Sequence, residues 1–139
     1  MTEAVLLDTC ALIWIFNGDD PAETVRSAVD HVWATGGSLL VSPISAWEIG
    51  MLVSKGRLRL STAPLSWFRQ AIDTDGVDLA ELSPAILVES SFLPDANALR
   101  DPADRILAAT ARALGHPVMT RDRLLLGYAE AGHIRALPC

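Results

Sequence analysis

Cysteine is scarce in this 139-residue chain, which holds only Cys10 and Cys139. The pair has neither disulfide-framework nor zinc-ligand spacing, which suits a reducing cytosol. GxGxxG, Walker A and GxSxG signatures are absent, so dinucleotide, P-loop and α/β-hydrolase readings fail. The longest apolar stretch, residues 4–16, is broken by Asp8 and is too short to span a bilayer. No basic segment precedes it, which reads against a secretory signal. Positive charge is also short: 11 basic residues face 17 acidic ones, a formal net charge of −6. With a sequence pI near 4.9, the chain does not hold nucleic acid by bulk electrostatics. A polyanionic substrate needs some other attraction.

What is present is apolar residue, half of the chain, with a mean hydropathy of +0.30. That is too apolar for disorder, and the length fits one domain over residues 1–139. Repeats, low-complexity tracts and domain linkers are missing. Strand-like apolar runs fall at residues 4–7, 38–41, 77–82, 116–119 and 134–137. Helical patterns lie between them. Pro21 opens one that runs towards Gly36-Gly37, Pro43 opens another closing near Gly56, and Pro64 sits near the start of a third. Ser83-Pro84 and Asp101-Pro102 each read as an N-cap followed by proline at the first helical position, and Gly115 ends the latter helix. Strands alternating with helices predict an α/β fold, a mainly parallel sheet of about five strands covered on both faces. Sites in such sheets form beyond the carboxyl ends of the strands.

Four acids occupy suspicious positions. Asp8 follows the first strand, where it serves equally as a helix cap. Glu48 lies within the helix of residues 43–55, sharing a face with Ile44, Met51 and Leu52 and flanked by Trp47. A carboxylate in an apolar stripe faces desolvation unless it is paired or binds a metal. Asp101 and Asp104 suit the start of their helix, while Asp104 lies on the flank of its inward face. Asp122 follows the fourth strand and, alone, reads as a turn or cap aspartate. Converging at one sheet edge, Asp8, Glu48, Asp104 and Asp122 would raise one another's pKa. A hard cation such as Mg²⁺ or Mn²⁺ is the simplest stabiliser.

Other residues carry weaker signals. Arg100, Arg105, Arg121 and Arg123 lie near the acids in sequence, as surface charge or as a rim that positions phosphate. Thr9 and Thr120 are candidates to orient ligands by hydrogen bonding, with capping equally open. His31, His116 and His133 lack ligand spacing. Trp14, Trp33, Trp47 and Trp67 read as core, with some available for a partner surface.

Four segments together resemble the PIN-domain family, in particular its VapC-like toxins. They are Leu6-Leu7-Asp8-Thr9 with Ala11-Leu12, residues 42–50 (SPISAWEIG) with Gly56-Arg57-Leu58, residues 100–109 (RDPADRILAA), and Thr120-Arg121-Asp122. They follow the family's order and spacing over nearly the whole chain. The resemblance implies a three-layer α/β/α domain and a Mg²⁺- or Mn²⁺-dependent endoribonuclease using one or two ions. It implies that Asp8, Glu48, Asp104 and Asp122 are the catalytic, metal-binding acids, with Asp101 a candidate for the outer shell around them rather than a ligand. It further implies a cytoplasmic toxin that acts on RNA, forms a homodimer, is inhibited by a cognate antitoxin and has no membrane role. Two positions depart from the pattern: Cys10 and Leu99 stand where similar sequences often carry histidine.

Metal-assisted phosphodiester hydrolysis is the chemistry expected of this set. A Mg²⁺-dependent phosphotransfer or receiver-type domain is disfavoured. It needs an acid at position 10 or a lysine near the last strand, and Lys55 is the only lysine. A non-catalytic interaction module, with the acids as caps and salt bridges, is the remaining alternative.

Overall fold

The computed structural model describes residues 4–17, 23–95 and 97–139. Pro21 lies outside them. In chain order the described elements are β1 (Val5–Leu7), α1 (Thr9–Phe16), α2 (Glu23–Ala34), β2 (Leu39–Val41), α3 (Pro43–Ser54) and α4 (Pro64–Ile72). They continue with β3 (Val77–Leu79), α5 (Pro84–Glu89), α6 (Pro102–Leu114), β4 (Val118–Thr120), α7 (Arg123–Glu130) and β5 (Ala136–Pro138).

All five strands are parallel, in the order β3-β2-β1-β4-β5. From β1 the chain builds outwards through β2 to β3, then returns to place β4 on the other side of β1. The strand order therefore switches between β1 and β4, where ligand crevices open in such sheets. Period-two alternation sends Val5, Leu7, Leu39, Val41 and Met119 to one face, against apolar residues of α1, α2, α3 and α4. Leu6 and Val118 face the opposite side, against α5, α6 and α7. Burial on both faces explains why the central strands read as continuous apolar runs. The result is the three-layer α/β/α arrangement expected from sequence.

Local chemistry sets the element ends. Ser42, Ser83 and Asp101 cap α3, α5 and α6, each followed by proline, and Gly115 closes α6 at φ 73°. Strands β4 and β5 begin two residues later than their apolar runs suggest. Pro117 has no N–H to donate, so strand pairing starts at Val118, although the Pro117 carbonyl still accepts from Leu6 N at 2.9 Å. Pro138 is tolerated because β5 is an edge strand. Helix α7, eight residues long, is too short for apolar periodicity to announce it. Among the described residues no helix is long and apolar enough to cross a membrane.

Candidate active site

Asp8 leaves β1 at the switch point and is buried. Its Oδ1 accepts the Ala11 N–H at 2.8 Å, capping α1, and its Oδ2 accepts the Thr120 hydroxyl from the end of β4. The backbone is fixed as well, with Asp8 N donating to Met119 O at 3.2 Å. One oxygen of the carboxylate caps the helix and the other is held by β4. Asp122 behaves similarly: its Oδ2 accepts Leu125 N at 3.0 Å to cap α7, and its own N–H donates to Thr120 Oγ1 at 3.0 Å. Thr120 thus links the Asp8 carboxylate to the Asp122 backbone.

Glu48 comes from the second turn of α3. Its Oε1 accepts the hydroxyl of Thr9, which also lies 2.9 Å from the hydroxyl of Ser45. Thr9 and Ser45 are both buried. The apolar stripe expected around Glu48 is only partly buried. Ile44, Met51 and Leu52 are half-buried rather than buried, and Trp47 is 56% exposed. The inward line of α3 runs instead through Ser45 and Ile49, so Glu48 stands at the boundary between core and cleft. Ser45 went unnoticed because a serine inside a helix carries no signal of its own.

Asp104 lies half-buried in the first turn of α6, behind exposed Asp101, whose Oδ1 accepts Ala103 N at 3.0 Å. Helix capping accounts for Asp8, Asp101 and Asp122. It accounts for neither Glu48 nor Asp104.

The electrostatics tie the four acids together. Burial raises the Asp8 pKa and Asp122 adds to the rise, opposed by the Thr120 and Ala11 hydrogen bonds and by Arg121. Burial likewise raises Glu48, against the Thr9 hydrogen bond, with Asp101 and Asp8 contributing. Asp104 is pushed up to about 7, first by burial, then by Asp101, Asp122, Glu48 and Asp8. The Cys10 thiol is raised to about 11 by burial and by the fields of Asp8, Glu48, Asp104 and Asp122. One side chain feels all four acids, though they come from four separate elements. The Cys10 residue itself is exposed on α1.

Carboxylates that raise one another in this way have the donor chemistry of a hard divalent cation site. Among the described residues no group of three or more His, Cys, Asp or Glu side chains is preformed to hold an ion. The arrangement suits an ion bound by one or two carboxylates and otherwise by water, the usual habit of Mg²⁺.

The arginines separate. Arg121 lies near Asp8 and packs over the Trp14 ring, with its guanidinium carbon 3.7 Å from the ring centroid. Arg105 departs from its expected place on a phosphate rim. Its Nε donates to Ser90 O at 2.9 Å and its Nη1 to Leu99 O at 2.7 Å, tying the end of α5 to the approach to α6. Backbone carbonyls in a polar turn attract it, and they leave no mark in a sequence. Arg100 and Arg123 are exposed. Among the tryptophans Trp67 is core, while Trp33 and Trp47 are exposed.

The PIN domain family profile matches residues 5–130. Ribonuclease VapC22 of Mycobacterium tuberculosis (strain ATCC 25618 / H37Rv) is 30% identical over 128 residues, covering 90% of this chain and 91% of the relative. Among solved structures, VapBC2 from Rickettsia felis bound to a promoter DNA fragment matches with a TM-score of 0.71 at 13% identity, over 97% of this chain and 98% of that one. FitAcB from Neisseria gonorrhoeae matches at 0.60 with 20% identity, over 96% of each chain. A toxin–antitoxin complex from Klebsiella pneumoniae matches at 0.61 with 19% identity, over 96% and 95%. At such identities the structural likeness speaks for the fold.

Proposed function

This chain belongs to the PIN domain family, and from that premise we propose that it is a metal-dependent endoribonuclease, the toxin of a toxin–antitoxin pair. The observation that carries the reading is the placement of Asp8 and Asp122 at the switch point of the sheet, joined through Thr120, with Glu48 tied to α1 through Thr9. Likeness to a named ribonuclease over nine-tenths of the chain supports RNA as the substrate.

Asp8, Glu48, Asp104 and Asp122 would hold one or two Mg²⁺ or Mn²⁺ ions, directly or through water. When bound, such an ion lowers the pKa of a coordinated water and neutralises charge on the scissile phosphate. The protein's part is to present those carboxylates in fixed directions. Thr120 holds Asp8 and the Asp122 loop, and Thr9 holds Glu48. Asp101 adds negative field at the entrance without a place among the ligands. Arg121, beside Asp8, is the arginine best placed to take an RNA phosphate. Arg100 and Arg123 contribute exposed positive charge. A compensated acidic centre lets an acidic protein accept a polyanion.

The same reading gives the chain a cognate antitoxin, a homodimeric state and a cytoplasmic place of action. The solved neighbours that are toxin–antitoxin complexes support the antitoxin. Exposed apolar side chains support contact surfaces: Trp47 beside Glu48, and Leu87, Val88 and Phe92 around α5. The test is cleavage of total RNA with and without Mn²⁺ by the wild type and by Asp8→Asn and Asp104→Asn. The expected result is metal-dependent cleavage that both variants lose while remaining folded. Full activity in either variant would remove its acid from the mechanism, and metal-independent activity would overturn the reading.

A further inference from the structure

Several hydroxyls on or just after the helices donate to a backbone carbonyl about one turn back. Thr110 donates to Ile106 O at 2.8 Å, Ser54 to Met51 O at 2.8 Å and Thr35 to His31 O at 2.9 Å. Ser45 instead meets Thr9 of α1 at 2.9 Å, across 36 residues of chain. Ser45 is wholly buried and Thr9 nearly so, so little water competes for the contact.

The direction of that contact follows from proton counting. A threonine hydroxyl has a single proton. Thr9 donates it to Glu48 Oε1. The Thr9 oxygen is then left to accept, and Ser45 must donate. The chain runs from Ser45 through Thr9 to Glu48, each bond polarising the next toward the carboxylate. Ser45 and Glu48 lie three residues apart on α3, so the chain leaves the helix and returns to it through α1.

Resting on the functional reading above, we propose that Ser45 is a positioning residue. Acting through Thr9, it fixes the Glu48 carboxylate for a divalent cation, leaving Oε2 outside the chain. Thr9 alone would be free to turn its proton towards other acceptors. The Ser45 donor occupies the Thr9 oxygen and selects the rotamer that serves Glu48.

The test measures Mn²⁺ binding by calorimetry, without RNA, on the full chain. The variants are S45A, T9V, S45A/T9V and E48Q, with circular dichroism and thermal melting as checks on folding. Partners of metal ligands typically change affinity by 10–100-fold. T9V is expected to weaken binding about tenfold and S45A, one bond further out, about threefold. The double variant is expected to match T9V, because Ser45 has no route to Glu48 without Thr9. Should S45A fold poorly, S45C keeps the volume with a weak donor and is expected to weaken binding as S45A does. Unchanged affinity in a folded Ser45 variant, or additive losses in the double variant, would overturn the proposal alone. A wild type that binds no Mn²⁺, or binds it unchanged in E48Q, would overturn the functional reading and this proposal with it.

Discussion

The Thr120 hydroxyl donates to Asp8 Oδ2 and at once accepts the N–H of Asp122 at 3.0 Å. The residues at either end of the first bond are 112 positions apart in sequence. The parallel register that sets Leu7 against Met119 brings the next residue of each strand to the same sheet edge. One buried hydroxyl therefore couples strand pairing to the direction of a carboxylate.

Replacing Thr120 with valine keeps the volume and removes both bonds. The loss leaves Asp8 Oδ2 and the Asp122 N–H without that partner, at a cost of about 1–3 kcal/mol. Urea unfolding of T120V is expected to show this loss, and Mn²⁺ binding is expected to weaken. T120S is expected to retain both. A T120V protein with unchanged stability and metal affinity would remove Thr120 from the site.

Asp104 is expected to contribute most visibly to the pH dependence of the metal-free protein. Its folded pKa, about 7, lies above its ordinary value of 3.8. Between those values the folded state binds more protons than the unfolded one, so stability falls as pH rises through that window. Asp8 and Glu48 are shifted in the same direction. In chelator, the melting temperature is expected to drop from about pH 4 to pH 7, apart from whatever other groups contribute. D104N should flatten this slope and melt higher than wild type near neutrality, while it is expected to lose activity. An unchanged slope in D104N would show that Asp104 does not carry the strain.

Cys10, exposed on α1, reports on the same field. Its thiol, raised to about 11, is almost wholly protonated near pH 8, and the thiolate is the reactive form. Alkylation of Cys10, followed by peptide mass spectrometry to separate it from Cys139, is expected to be slow in metal-free wild type. D8N and D104N should each accelerate it by removing a negative charge. Mg²⁺ should act in the same direction by compensating the acids. A Cys10 that alkylates like a free thiol and ignores all three changes would mean that the acids do not converge on it.

Much of this arrangement was legible in the sequence for local reasons. The strand before Asp8 is an unbroken apolar run, and Asp101-Pro102 with Gly115 brackets α6 by capping chemistry. Other parts depend on partners distant in the chain. Thr9 and Ser45 meet across 36 residues, and no periodicity reveals such a pair. Arg105 lies one residue from Asp104 yet is bound to the carbonyls of Ser90 and Leu99. Adjacency in sequence on a helix separates neighbouring side chains by about 100°, so it does not define a shared rim. The apolar neighbours of Glu48 only half bury it, and its link to Thr9 marks it more firmly than they do.

The contrast between Arg121 and Arg105 gives a paired prediction. R121A removes a cation held over Trp14 beside Asp8. Its KM for RNA is expected to rise about tenfold, the scale of one charge-assisted hydrogen bond. The salt dependence of single-stranded RNA binding should flatten by about 0.7 in log–log slope, the loss of one phosphate contact. W14L, which removes the platform and keeps the charge, should raise KM less and leave the salt slope nearly intact. Mn²⁺ affinity should survive in both, since neither residue is a ligand. R105A is expected to do the reverse, lowering the urea midpoint through loss of its carbonyl bonds and leaving the salt slope unchanged. If R105A flattened the slope and R121A did not, the phosphate contact would belong to the α6 side of the cleft.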